Sequence, residues 1–124
     1  MDEREMARAL ALARVGVGAS LFALPGLVGG MWVGRDAKSA GVRTFARGFG
    51  ARDAIIGGAL FRALENDDTD EIRRWLLLSA AADGADLVGT LASWRRLPPV
   101  RRALLATGIV GFGVLGAWLA NQFA

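Results

Sequence analysis

The twenty residues Trp75–Trp94, WLLLSAAADGADLVGTLASW, decide the fold. At about 1.5 Å per helical residue they extend roughly 30 Å, the thickness of the hydrocarbon core of a bilayer. Tryptophan at both ends, with arginine pairs just outside, is typical of a helix that meets both membrane interfaces. The only charged residues inside the segment are Asp83 and Asp86. The segment therefore predicts a transmembrane helix with two carboxylates near its centre.

Three further segments complete the predicted architecture. Val15–Gly34 and Ala103–Ala124 contain no charged residue, and each is long enough to cross a bilayer. Val42–Leu64 carries five charged residues, yet its central run FGARDAIIGGALF is otherwise small and apolar. With short loops between them, the four segments predict an all-α fold, a transmembrane up-and-down four-helix bundle. We expect one integral membrane domain over residues 1–124, with spans at about 13–34, 42–64, 72–94 and 101–123.

The composition excludes several kinds of chemistry. The chain has no Cys and no His, so disulfides, thiolate nucleophiles, histidine metal ligands and histidine bases are absent. Fourteen of the fifteen basic residues are arginine, but they form no stripe interleaved with aromatic residues, which is the footprint of a nucleic-acid-binding surface. The sequence predicts no metal, no haem, flavin or quinone cofactor, and no nucleic-acid partner.

Loop charges and small residues predict orientation and association. The first and third loops carry Arg and Lys, whereas the second loop is dominated by Asp and Glu. The positive-inside rule then places loops one and three in the cytoplasm and both termini outside, in a bacterial cytoplasmic membrane. Small residues recur at four-residue spacing in every span, which favours close packing within one chain or in a homo-oligomer or membrane complex.

The two aspartates of the third span belong to a polar stripe. Asp83 and Asp86 are three residues apart, so they share a helix face. Ser79 lies four residues before Asp83, and Thr90 lies four residues after Asp86. Such a face is expected to contact protein or water rather than lipid.

The second span supplies charged partners at the same depth. Arg52 and Asp53 lie at the midpoint of that span, level with the aspartates of the antiparallel third span. An arginine–carboxylate pair offsets much of the cost of a charge at mid-bilayer. We therefore expect Arg52 to meet the aspartates, with Arg47 or Arg14 as a further partner. Arg14 lies at the outer end of span one. The candidate ligand-binding residues are Arg14, Arg47, Arg52, Asp53, Ser79, Asp83, Asp86 and Thr90.

One stretch carries a resemblance to known proteins. RTFARGFGARDAIIGGAL, followed by AAADGADLVGTL, resembles small four-helix membrane proteins of actinobacterial type that are DoxX-like in size and layout. The shared pattern is an Arg, then Gly-x-Arg-Asp, an apolar Gly-rich run and Asp-x-x-Asp. Here its residues are Arg47, Gly50, Arg52, Asp53, Asp83 and Asp86. The resemblance implies the four-helix membrane fold and no particular activity.

Several functions remain open at this point. The charged network either fixes helix register alone or forms a pocket for a small polar ligand, a lipid headgroup or a partner helix. In the second case the chain is a binding or accessory subunit. A membrane-embedded cyclase or isomerase would use Asp83 or Asp86, or Asp53, as catalytic acid or base beside a cavity widened by a kink at Pro25. A proton- or anion-coupled transporter would work as an oligomer.

Overall fold

The structure is a computed structural model that describes all 124 residues, and it is helical throughout. Its five α-helices are joined by short turns, including 3-10 turns at Gly34–Lys38 and Trp94–Arg96. The predicted all-α class is confirmed. The helices are α1 (Glu3–Ala23), α2 (Pro25–Val33), α3 (Ala40–Glu65), α4 (Thr69–Ala92) and α5 (Pro99–Gln122).

Three helices, α1, α4 and α5, are long and apolar enough to cross a membrane. Large apolar side chains such as Leu12, Phe45, Val88 and Leu104 are exposed on the surface of the fold. Exposed apolar area of this extent is consistent with an integral membrane protein. Helix α3 is the longest, but Arg and Asp residues interrupt its apolar surface at the centre.

The first predicted span, residues 13–34, is not a single helix. Helix α1 begins at Glu3 because the side chains and backbone of Asp2 and Glu5 form a reciprocal capping box. It ends at Ala23, and Pro25 occupies the first turn of α2, where its missing N–H is tolerated. Pro25 therefore starts a separate helix instead of kinking a continuous span. The other three predicted segments match α3, α4 and α5 to within three residues.

Helices α1 and α3 cross backbone to backbone. A Cβ atom added to Gly18 would lie 2.4 Å from the carbonyl oxygen of Gly50, and one added to Gly50 would lie 2.5 Å from that of Gly18. One added to Gly57 would lie 2.6 Å from the carbonyl oxygen of Ala11. The earlier residue of α1, Ala11, meets the later residue of α3, Gly57, and the later residue Gly18 meets the earlier residue Gly50. The two helices are therefore antiparallel. A Cβ atom added to Gly58, on the same helix, would meet nothing within 4 Å.

Packing differs between the two ends of the molecule. Apolar side chains fill one end, and the other end contains a cavity. Helix α3 contacts α4, and α4 packs along α5. Next to the α3–α4 turn, a core forms from Leu10, Leu60, Ile72, Leu76 and Leu119, each no more than 2% exposed. At the other end, α2 and the following 3-10 turn pack against α3, and the interior there is not filled. The charged residues lie between these two ends.

Candidate functional site

Arg14 lies at the centre of the charged network. It projects from the middle of α1, and its side chain is only 5% exposed. Its Nη1 donates to Oδ1 of Asp53 on α3 at 3.1 Å, and its Nη2 donates to Oδ2 of Asp83 on α4. One guanidinium therefore joins three helices. The sequence predicted this arginine at the end of a span because the capped start of α1 at Glu3 was not recognised.

Arg52 forms the second half of the network. Its Nη1 and Nη2 donate to Oδ1 and Oδ2 of Asp86 at 2.9 and 2.7 Å, the bidentate geometry that arginine makes with carboxylates. Nη2 also reaches Oδ1 of Asp53 at 3.3 Å. The Arg52 guanidinium stacks over the ring of Phe49, 4.1 Å from its centroid. The predicted meeting of Arg52 with the aspartates of α4 is found in the structure.

The polar stripe of α4 lies along this network. The Ser79 carbonyl oxygen accepts a hydrogen bond from Arg14 at 3.4 Å, while the fully buried Ser79 hydroxyl has no partner. The Thr90 hydroxyl donates to the Asp86 carbonyl oxygen at 2.8 Å, so it bonds to its own helix. Ser79 and Thr90 thus belong to the stripe but make no hydrogen bond to an aspartate side chain.

Arg47 lies outside the network. Its side chain is exposed, and its Nε donates to the Phe22 carbonyl oxygen at 3.3 Å. It forms no ion pair with any aspartate. The expectation that Arg47 joins the aspartates is therefore not met, because Arg47 lies on a different face of α3 from Asp53.

The network contains more negative than positive charge. Two guanidiniums, Arg14 and Arg52, face three carboxylates, Asp53, Asp83 and Asp86, which leaves a net charge of −1 with all five ionised. All three carboxylates are paired, with side-chain exposures of 7 to 12%. Their arrangement does not provide a group of ligands that could hold a metal ion.

A cavity of about 350 Å³ opens directly onto the network. Arg14 and all three aspartates line one end, and apolar side chains of α1, α2, α3 and α5 line the remainder. Among them are the aromatic rings of Trp32, Phe49 and Phe112. Cavities of this size, mostly apolar with a few convergent polar groups, are typical of small-molecule sites.

A second cavity of about 380 Å³ adjoins the first, and Asp86 lines both. Trp32 and Phe49 also line both cavities, and their rings meet edge to face with centroids 6.1 Å apart. The second cavity extends along α4 to Thr90 and Ser93. Asp86 and this pair of rings therefore lie where the two cavities adjoin.

Sequence reasoning missed the aromatic lining. Phe49 lies three residues before Arg52, a helical spacing that places the two side chains side by side, so its contact could have been recognised. Trp32 and Phe112 carry no such local signal. They reach the cavity only because α2 folds back beside α3 and because α5 packs along α4.

Comparison of the chain with protein-family models, curated protein sequences and solved structures finds no match in any of the three. The chemistry of the charged network and of the cavity beside it is therefore what indicates a function.

Proposed function

We propose that this chain is a small integral membrane protein that binds a small polar ligand or lipid headgroup in the cavity beside its Arg14, Arg52, Asp53, Asp83 and Asp86 network. One observation carries the proposal. The buried charges do not face a closed, packed core, but line a cavity of about 350 Å³. A network whose purpose was helix register alone would need no such space beside it, because the ion pairs themselves offset the cost of burial.

The pairing of every aspartate favours binding over catalysis. An acid or base in a membrane enzyme needs a carboxyl group free to exchange a proton with substrate. Each aspartate here is engaged by an arginine, and both oxygens of Asp86 are occupied. An enzyme that uses Asp83 or Asp53 is the second candidate, since each has one oxygen without a protein partner and lines the cavity. A transporter would further require a path across the membrane between copies of the chain.

The wider architecture belongs to the same proposal. We propose that α1, α3, α4 and α5 form an up-and-down four-helix bundle in a bacterial cytoplasmic membrane, with both termini outside. The antiparallel contacts from α1 to α3, α3 to α4 and α4 to α5 support this order. The Gly-x-Arg-Asp and Asp-x-x-Asp pattern supports the relationship to DoxX-like membrane proteins. Association into a homo-oligomer or a larger membrane complex is part of the proposal.

Native mass spectrometry tests the binding function. The chain is released from detergent, and its mass is compared with that of an Asp83→Asn, Asp86→Asn double variant. The control is Asp67→Asn, Asp70→Asn, which makes the same two changes at the same spacing in the exposed α3–α4 region. We expect a defined additional mass on the native chain and the control but not on the double variant. A bare native chain, together with a double variant that dissociates or misfolds, would show that the aspartates serve structure alone.

A further inference from the structure

The charge at the network end of the cavity specifies the ligand more closely. We propose that the cavity takes a monovalent organic cation, an ammonium group on an apolar body, with the ammonium against Asp83 and Asp53. This inference rests on the proposed binding function. It assigns the chemical class of the ligand, which the binding proposal leaves open.

Two carboxylate oxygens are available to such a cation. Both arginine contacts of Asp53 fall on its Oδ1, and the arginine contact of Asp83 falls on its Oδ2. Oδ2 of Asp53 and Oδ1 of Asp83 therefore accept no hydrogen bond from the protein. Both side chains are at least nine-tenths buried and line the cavity. These two oxygens are acceptors without a protein donor, and they belong to residues that line the cavity.

The net charge has the sign that a cation would neutralise. With all five side chains ionised the network carries −1, and an uncompensated charge in a membrane interior is costly. Protonation of one carboxylate would also remove the excess negative charge, but protonation requires no cavity beside the network. A cavity of about 350 Å³ that both aspartates line favours a cation with an apolar body.

Aromatic walls suit the same ligand. An ammonium group is attracted to the face of an aromatic ring within about 6 Å of its centre. Arg52 already occupies the face of Phe49. Trp32 from α2 and Phe112 from α5 line the cavity and make no cation contact within the protein. They leave ring surface for a second cation.

The opposite end of the cavity differs in charge and exposure. Arg101, in the first turn of α5, lines that end and is exposed. Gly113, which packs against Asp83, is twelve residues further along α5, or about 18 Å along the helix axis. A lipid amine at the membrane interface would have to descend that distance, so a free cation fits the site better than a headgroup.

Calorimetric titration of the protein in nanodiscs tests the ligand class. The probes are benzyltrimethylammonium and, as the anion of similar size, benzenesulfonate. We expect the ammonium to bind the native chain, and benzenesulfonate not to bind. Asp83→Asn should weaken ammonium binding about tenfold or more, because a charged acceptor is lost. Asp67→Asn, in the exposed loop, should leave the affinity unchanged.

Further variants separate ligand binding from folding and locate the ligand. Phe112→Leu keeps all charges and should weaken ammonium binding about threefold, the size of a weak cation–π contact. Arg101→Gln should raise the ammonium affinity, because it removes a positive charge from the lining of the cavity. Loss of binding in Arg101→Gln would overturn the placement at the aspartates, as would equal ammonium affinity in the native chain and Asp83→Asn.

The two proposals fail in different ways. If benzenesulfonate binds and the ammonium does not, the cation class is wrong, whereas a co-purified mass would still support a binding pocket. If neither probe binds and no mass co-purifies, both proposals are wrong. Nanodiscs with and without phosphatidylethanolamine distinguish the sources of the ammonium group. A lower probe affinity in the phosphatidylethanolamine discs would support the ammonium chemistry and assign it to the lipid.

Discussion

Arg52 donates one hydrogen bond to each carboxylate oxygen of Asp86, and the same guanidinium lies over the ring of Phe49. The planar fork of arginine makes all of these contacts at once, whereas the ammonium of lysine is a single point of charge. The pair joins α3 to α4 near the middle of both helices. A change that keeps the charge and removes the fork therefore tests the geometry of the contact.

We predict that Arg52→Lys lowers the free energy of unfolding by about 1.5 kcal/mol. This is the low end of the range for a hydrogen bond to a charged group, because the Arg52 side chain is one-third exposed. Thermal unfolding in detergent would measure the change. Arg62→Lys is the matched control, since Arg62 is exposed on the same helix and makes no ion pair. Equal melting temperatures for the two variants would argue against a stabilising fork.

Arg14→Gln should be the most destabilising change in the network. It leaves Asp83 without a cation and Asp53 with only its longer contact to Arg52. Removing one partner of a buried pair costs about 3–5 kcal/mol. Arg8→Gln, on the same helix, breaks an exposed pair with Glu65 and should cost about 1 kcal/mol or less. Denaturant titration followed by circular dichroism compares the two, and similar losses would count against a central role for Arg14.

Gly50→Ala should force α1 and α3 apart. The added methyl group would lie 2.5 Å from a backbone oxygen that cannot move independently of its helix. Overpacking of this kind costs about 1–3 kcal/mol. Gly58→Ala, on the same helix with nothing within 4 Å, should instead stabilise by about 0.5–1 kcal/mol through helix propensity. Opposite signs of the shift in melting temperature are the expected result, and two shifts of the same sign would contradict it.

Single cysteines introduced into this cysteine-free chain would report its orientation. Asn66→Cys and Ala124→Cys should react with a membrane-impermeant maleimide added to intact cells. Ser39→Cys should react only after the cells are opened. This pattern follows from the basic loops one and three and the acidic loop two. The reverse pattern would invert the proposed topology.

The central polar stripe was predictable because helical spacing alone determines which residues share a face. Asp83 and Asp86 turn toward Arg14 and Arg52 as that spacing requires. At Pro25 the sequence predicted a kink within one span and not the start of a separate helix, because an uncharged twenty-residue run looks the same whether it is one helix or parts of two. The capping box at Asp2 and Glu5 was the signal that would have moved α1 toward the N-terminus and Arg14 to its centre.

The sequence suggested a cavity beside Pro25, but no local pattern predicted which side chains line the cavity in the structure. Its walls come from α1, α2, α3, α4 and α5, and their meeting depends on tertiary packing. Arg47 is the opposite case, in which a local pattern was available and the expectation was not met. The sequence placed it about one turn from the aspartates, level with Thr90, but its position on the helix turns it toward Phe22. Arg47 and Asp53 are six residues apart, a spacing that places them on different faces of a helix, so this difference could have been recognised from the sequence.

The charged centre of α3 has a consequence for biosynthesis. A ribosome delivers this helix to the translocon before α4 exists, so Arg52 is synthesised thirty-four residues ahead of its carboxylate partner Asp86. Asp53, in contrast, meets an arginine made thirty-nine residues earlier. We expect α3 to remain at the membrane surface or beside the translocon until α4 emerges, and then to enter the bilayer together with it.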